Sequence, residues 1–205
     1  MLPNSTVNDI TWAPVPGNVA MHTVGAVRVT GCTFEHLGAT ALLIDGGSQD
    51  VLVQNNSFRD VSAGGVYFGN VNDLNVTAEE ADAHFVIDGN LFDGIPVEFR
   101  DGAPICGGFV LNVTITHNSI INNANTGISL GWGWSRDEAS NSGWANISFN
   151  YVHGSNWLLE DGGSIYVLGP QPQSVMSYNF ISSQHKLCEC AVAVGRRGLL
   201  QRAHT

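Results

Sequence analysis

The sequence predicts an all-β chain wound as a solenoid. Three observations carry that expectation: a short strand–corner–strand pattern that recurs along the chain, a near-regular spacing of its copies, and the lack of any long helical stretch. The pattern is a pair of apolar residues around a polar one, a corner residue, then x-Phe/Ile/Val. It reads Val27-Arg28-Val29 to Cys32-Thr33-Phe34, Val51-Leu52-Val53 to Asn56-Ser57-Phe58, and Val86-Ile87 to Asn90-Leu91-Phe92. It continues as Val113-Thr114-Ile115 to Asn118-Ser119-Ile120, Ile147-Ser148-Phe149 to Asn150-Tyr151-Val152, and Val175-Met176 to Asn179-Phe180-Ile181. The corner positions Cys32, Asn56, Asn90, Asn118, Asn150 and Asn179 are separated by 24, 34, 28, 32 and 29 residues. A second element follows most copies: Leu42-Leu43-Ile44, Gly65-Val66-Tyr67-Phe68, Gly127-Ile128-Ser129-Leu130 and Ser164-Ile165-Tyr166-Val167.

Each part has a physical reason. Short β-branched runs of period two bury one face, and a single coil cannot cover that face alone, so coils stack. Asn suits the corner because it tolerates the left-handed region and its amide can bond its counterpart one coil away. Leucine-rich repeats share a Leu/Asn ladder but run at a shorter period. The expected architecture is a right-handed parallel β-helix of about five to six coils over residues 26–183, after a lead-in at 1–25. Cys32 is expected in a buried repeat position. Residues 71–85 lengthen one coil, and their acidic run Glu79-Glu80-Ala81-Asp82 reads as a solvated loop. After Ser183 the pattern stops. Residues 184–205 read as an aberrant or disordered tail with the character of a misread gene end, holding Lys186, Arg196, Arg197 and Arg202 of the chain's 8 basic residues.

Composition excludes several functions. Eighteen acidic against 8 basic side chains give a net charge of −10, which leaves nothing to neutralise a row of phosphates, so no nucleic-acid partner is expected. No apolar stretch approaches the roughly 18 residues needed to span a bilayer, so membrane insertion is not expected. Polarity comes from 24 Gly and 19 Asn instead of charge, which makes up 13% of the chain. The 4 cysteines lack metal-knuckle spacing, with Cys188 and Cys190 one residue apart; no metal and no cofactor is expected. Asn4, Asn55, Asn75, Asn112 and Asn146 stand in Asn-x-Ser/Thr sequons and are glycosylation candidates. The opening Met1-Leu2-Pro3-Asn4 has neither the basic nor the apolar region of a secretory signal. The expectation is a secreted protein whose full-length form begins upstream of this chain.

Two segments carry the chemistry. Gly127-Ile128-Ser129-Leu130-Gly131-Trp132-Gly133-Trp134 is followed one coil later by Asp161-Gly162-Gly163-Ser164-Ile165-Tyr166-Val167-Leu168-Gly169-Pro170-Gln171-Pro172. Alternation turns Ile128, Leu130, Ile165 and Val167 inward and Ser129 and Tyr166 outward; by the same register Leu43, Tyr67 and Val110 join that outer row. Trp132 and Trp134, set between glycines at a strand end, can lie flat over a groove. A pyranose offers an apolar face and a hydroxyl rim to such rings, so the expected partner is a polysaccharide or oligosaccharide. Asp161 starts a strand beside that tryptophan pair, and an apolar neighbour would raise its pKa.

The two strings resemble the right-handed β-helix glycoside hydrolases of family 141, of pectin-lyase-like fold, which include α-L-fucosidases and xylanases of plant-polysaccharide breakdown. The likeness covers roughly residues 10–183, including Gly47-Ser48-Gln49-Asp50 and Val97-Glu98-Phe99-Arg100. It implies that Asp161 is one of two catalytic acids, with Trp132, Trp134, Tyr166 and Ser129 lining the sugar site. It places the second acid on the following coil in a Tyr-x-Asp-Glu-Gly-type segment, which this chain does not contain. Carboxylates stacked on coils about 4.8 Å apart would approach the roughly 5–5.5 Å of retaining glycosidases, and an offset pair the inverting range. Asp101 and Glu98 lie two coils earlier than Asp161, and Glu160 alternates to the opposite face, so none replaces it. The reading is therefore a fragment of a glycoside hydrolase acting on plant- or algal-type polysaccharide. A non-catalytic carbohydrate-binding or adhesive β-helix is the alternative. A polysaccharide lyase is the third, and it would need acidic calcium ligands beside Arg28, Arg59, Arg100 or Arg136.

Overall fold

Strands of three to six residues, each ended by a corner, cannot pair with their own neighbours in sequence and instead pair with the strand one coil away. A computed structural model describes residues 14–74, 76–132, 141–159, 162–185, 192–194 and 199–201. The first sheet stacks β1 (Gly17–His22), β4 (Thr40–Asp45), β7 (Val66–Phe68), β10 (Ile105–Gly107), β13 (Ile128–Leu130), β16 (Ile165–Val167) and β19 (Val192–Val194). The second stacks β2 (Arg28–Thr30), β5 (Gln49–Gln54), β8 (Ala83–Asp88), β11 (Leu111–Thr116), β14 (Asn146–Ser148), β17 (Ser174–Ser177) and β20 (Leu199–Gln201). The third stacks β3 (Thr33–Leu37), β6 (Ser57–Val61), β9 (Leu91–Asp93), β12 (Ser119–Ile121), β15 (Tyr151–His153) and β18 (Phe180–Ser182). The named strand pairings are parallel. The described residues thus form an all-β, right-handed β-helix of six complete coils, and β19 and β20 carry two of the sheets one rung further.

Alternation puts one column of side chains per inward position into the core. Leu42, Val66, Ile105, Ile128 and Ile165 form one such column and Ile44, Phe68, Gly107, Leu130 and Val167 the next. Gly107 compensates for the bulk beside it: a Cβ there would lie 2.6 Å from Leu130 Cδ1 and 2.8 Å from the Phe68 ring. In the third sheet Phe34, Phe58 and Phe92 stack with ring centroids 4.9 and 4.7 Å apart, close to the strand spacing itself.

The corner between the second and third sheets holds a buried amide ladder. Asn118 Nδ2 donates to Ile87 O at 2.8 Å and to Asn150 Oδ1 at 3.0 Å, while its Oδ1 accepts the N–H and the Nδ2 of Asn90. Asn56, Asn90 and Asn150 repeat this pattern, and Asn179 receives the last rung from Asn150. The left-handed residue is not the ladder Asn, as the sequence suggested, but the one before it: Gly31, Asn55, Gly89, His117, Phe149 and Tyr178 have φ between 54° and 65°. A positive φ turns the chain sharply inward, so the next side chain points under the corner, where an amide can bond along the axis. Cys32 corrects a second expectation. It is exposed, because it stands on the first rung; its N–H bonds Asn56 Oδ1 while its thiol donates to Thr30 O at 3.4 Å.

The acidic insertion is only partly solvated. Glu79 and Glu80 are exposed, but Asp82 is buried. Its Oδ1 accepts the Ser48 N–H at 2.8 Å, and its Oδ2 is buried without a partner among the described residues. Burial pushes its pKa up to about 7; the Ser48 and Gly47 N–H groups oppose this, and the nearby charges of Asp45 and Asp73 add to it.

Two predictions follow from this packing. Asn118→Ala strips four bonds from a sealed corner and leaves the Asn90 donors and Ile87 O without partners, so urea denaturation should show a loss of about 3 kcal/mol or more. For Asp82, folding favours the protonated form, because the folded pKa lies above the unfolded value of 3.8. Its contribution is therefore complete below that value and is lost as pH rises through about 7, amounting to up to about 4 kcal/mol. Asp82→Asn should flatten the fall in stability between pH 4 and pH 8, measured by denaturation at each pH.

Candidate carbohydrate site on the first sheet

The outer face of the first sheet carries one side chain per coil. Leu43, Tyr67, Cys106, Ser129 and Tyr166 are successive cross-strand partners. Val110 does not join them: β10 ends at Gly107, so the register position belongs to Cys106, and Val110 is buried in the core. The row is also not uniformly open. Leu43 and Tyr67 are buried, whereas Cys106, Ser129 and Tyr166 are half-buried. Segment 94–104 roofs Tyr67. A Cβ on Gly64 would lie 1.9 Å from its Cε1, and one on Gly102 would lie 2.7 Å from its Oη. Burial drives that phenol well above its ordinary range, against the Ala103 N–H. Burial likewise pushes the Cys106 thiol up to about 12, opposed by its hydrogen bond with Ser129.

The open part of the row lies over β13 and β16. Ser129 and Tyr166 sit side by side. Trp132, half-buried, follows β13 at one end of these strands. Gly131 has φ 84°, and a Cβ there would lie 2.1 Å from Leu168 O, so only glycine lets the turns after β13 and β16 stack. A Cβ on Gly169 would in turn lie 2.8 Å from Trp132 O.

Gly162 lies at the opposite end of the same strands. A Cβ on it would lie 2.4 Å from Thr126 Oγ1, 3.1 Å from Asn125 Oδ1 and 3.4 Å from Asn156 Nδ2. A three-residue strand, about 10 Å at roughly 3.3 Å per residue, separates Trp132 from the Gly162 end. The Gly162 end is also where sequence reading missed a feature: a buried polar cluster of Asn123, Asn125, Thr126, Ser155, Asn156 and Ser164. Asn125 Nδ2 donates to Asp101 O at 3.1 Å, Asn156 Nδ2 to Asn125 Oδ1 at 3.2 Å, and Ser164 Oγ to Gln184 Oε1 at 2.9 Å. The run Asn122-Asn123-Ala124-Asn125-Thr126 was its visible signal, because so many amides in one corner must find partners on adjacent coils.

Asp161 and Trp134 lie outside the described residues, as do Asn4 and Asn75. Of the remaining sequon residues, Asn55, Asn112 and Asn146 are all exposed. Among the described residues no group of three or more His, Cys, Asp or Glu side chains could hold a metal ion, and no helix is long and apolar enough to cross a membrane.

The family model described as the right handed beta helix region matches residues 17–181. A solved structure titled glycoside hydrolase is similar to this chain, with a TM-score of 0.72 and 25% identity, and the match covers 86% of this chain. The chain spans about 30% of the length of that solved protein. No curated protein matches the chain.

The thiols give a direct check on the outer row. Cys32 is exposed, while the raised pKa of Cys106 keeps it protonated at ordinary pH. Iodoacetamide at pH 8 should therefore modify Cys32 in the folded chain and Cys106 only after unfolding, as read by peptide mass spectrometry.

Proposed function

The chain belongs to the right handed beta helix family, and we propose that it is a carbohydrate-active member of it, part of a secreted glycoside hydrolase acting on plant- or algal-type polysaccharide. The observation that carries this reading is the half-buried stretch of the first sheet, where Ser129 and Tyr166 lie side by side between Trp132 at one end and the buried amide cluster at the other. Such a floor suits a sugar: aromatic surface for the C–H face, and hydroxyls for the rim. The likeness to a solved glycoside hydrolase supports the same class of ligand.

In this proposal Asp161 supplies the carboxyl that exchanges a proton with the glycosidic oxygen, or attacks the anomeric carbon. Trp132, Trp134, Tyr166 and Ser129 hold the sugar ring. The amide cluster beside Gly162 positions the chain at the acid, and a second carboxylate completes the reaction. Non-catalytic carbohydrate binding is the second reading, favoured by one observation: the outer row Leu43, Tyr67, Cys106, Ser129 and Tyr166 contains no carboxylate.

The test is reducing-sugar release and affinity electrophoresis against a panel of plant and algal polysaccharides. Asp161→Asn should lower hydrolysis by about 10²–10⁴-fold with an unchanged β-sheet circular dichroism spectrum, and Trp132→Ala should weaken retention on the polysaccharide. Retention without hydrolysis by the unaltered chain would establish the binding reading instead.

A further inference from the structure

The outer face of the second sheet carries an unexplained apolar exposure. Trp144 is 56% exposed, and in the outer row Val86-Thr114-Asn146-Val175 the two valines are 36% and 43% exposed. In Trp144-Ala145-Asn146-Ile147 the burial alternates: Ala145 and Ile147 are buried, and Trp144 and Asn146 are exposed. Asn146 lies between Thr114 and Val175 in register. Asn112 stands two residues before Thr114 and so flanks Trp144 on the neighbouring coil, where its N–H bonds Gly143 O at 2.9 Å. One exposed indole is therefore bracketed by two exposed asparagines, and both belong to Asn-x-Ser/Thr sequons.

We propose that Asn146 is an N-glycosylation site, with Asn112 as its companion, and that the first N-acetylglucosamine of the Asn146 glycan lies over the Trp144 ring. Ser148 Oγ donates to Asn146 Oδ1 at 2.9 Å, so the bond engages the amide oxygen and not the nitrogen that takes the sugar. The co-reactant is a polyprenyl-diphosphate-linked oligosaccharide supplied by the secretory pathway. The Asn146 amide nitrogen forms a bond to its anomeric carbon, and the bond from that carbon to the diphosphate oxygen breaks. The amide proton passes to a base of the transferase, and polyprenyl diphosphate leaves. Transfer precedes folding, because Ser148 is buried in the folded chain. An N-acetylglucosamine ring over the indole covers apolar surface with its C–H face and returns hydroxyls to water. The glycan stands on the second sheet, away from the first-sheet row proposed to hold the substrate.

The full chain is expressed behind a secretion leader in a eukaryotic host and treated with peptide-N-glycosidase in ¹⁸O-water, which marks each formerly occupied Asn as labelled Asp. Label is expected at Asn146 and Asn112; an unlabelled Asn146 overturns the proposal whatever the state of Asn112. If the chain is retained instead of exported, the microsomal fraction is digested and read in the same way. Enzymatic deglycosylation should lower Tm by about 2–4 °C, and this loss should disappear in Trp144→Ala. Equal losses in both proteins would overturn the contact with Trp144.

Discussion

One buried amide per coil, bonded along the axis, is the constraint on which the rest of this structure depends. An Asn side chain at the second corner has two donors and two acceptor sites, and in Asn90, Asn118 and Asn150 all four are used. All four of those bonds reach neighbouring coils, so the coil spacing is set by hydrogen-bond length. Insertions such as residues 71–82 must leave and rejoin the coil without disturbing that rung. The variable coil length between 24 and 34 residues is accommodated entirely in the loops that precede or follow the first sheet.

The price of this arrangement is a set of left-handed residues that are not glycine. Asp50, His84, Asn112, Trp144 and Gln173 take this conformation at the start of the second sheet, and His36, Asp60, Asn122 and Ser183 at the end of the third. Each costs of order 1 kcal/mol or more. The cost is offset by stacking along the axis, because the side chain of one corner meets its counterpart above. His117, Phe149 and Tyr178 stack outside with centroids 5.5 and 5.2 Å apart. His36 Nδ1 meets Asp60 Oδ2 at 2.6 Å, a contact that raises the His36 pKa.

Three faces with different loops divide the work of the surface. Long excursions flank the first sheet, so its outer row is sheltered: fully at Leu43 and Tyr67, partly at Ser129 and Tyr166. The second sheet is entered from such excursions but leaves by a short corner, and Asn112, Trp144 and Asn146 are exposed on it. A sheltered polar row and an open aromatic patch on one solenoid are the direct result of where the loops are long.

Strand positions, inward columns and ladder members were legible in the sequence, because each is repeated and a repeat needs only local pattern to be seen. Asn56, Asn90, Asn118, Asn150 and Asn179 announce themselves by spacing, and Ile128, Leu130, Ile165 and Val167 by alternation. What the sequence could not show is whatever depends on how coils of unequal length stack. Cys106 instead of Val110 occupies the outer row because β10 stops one residue after it. Asp82 is buried, despite its acidic neighbours, because the corner at Ser48 on the preceding coil presents an N–H to it. The segment at Gly162 lies a strand's length from Trp132 because parallel strands put the start of one beside the start of the next, never beside its end. Local composition determines which residues turn inward; only the stacking of coils decides which of them meet.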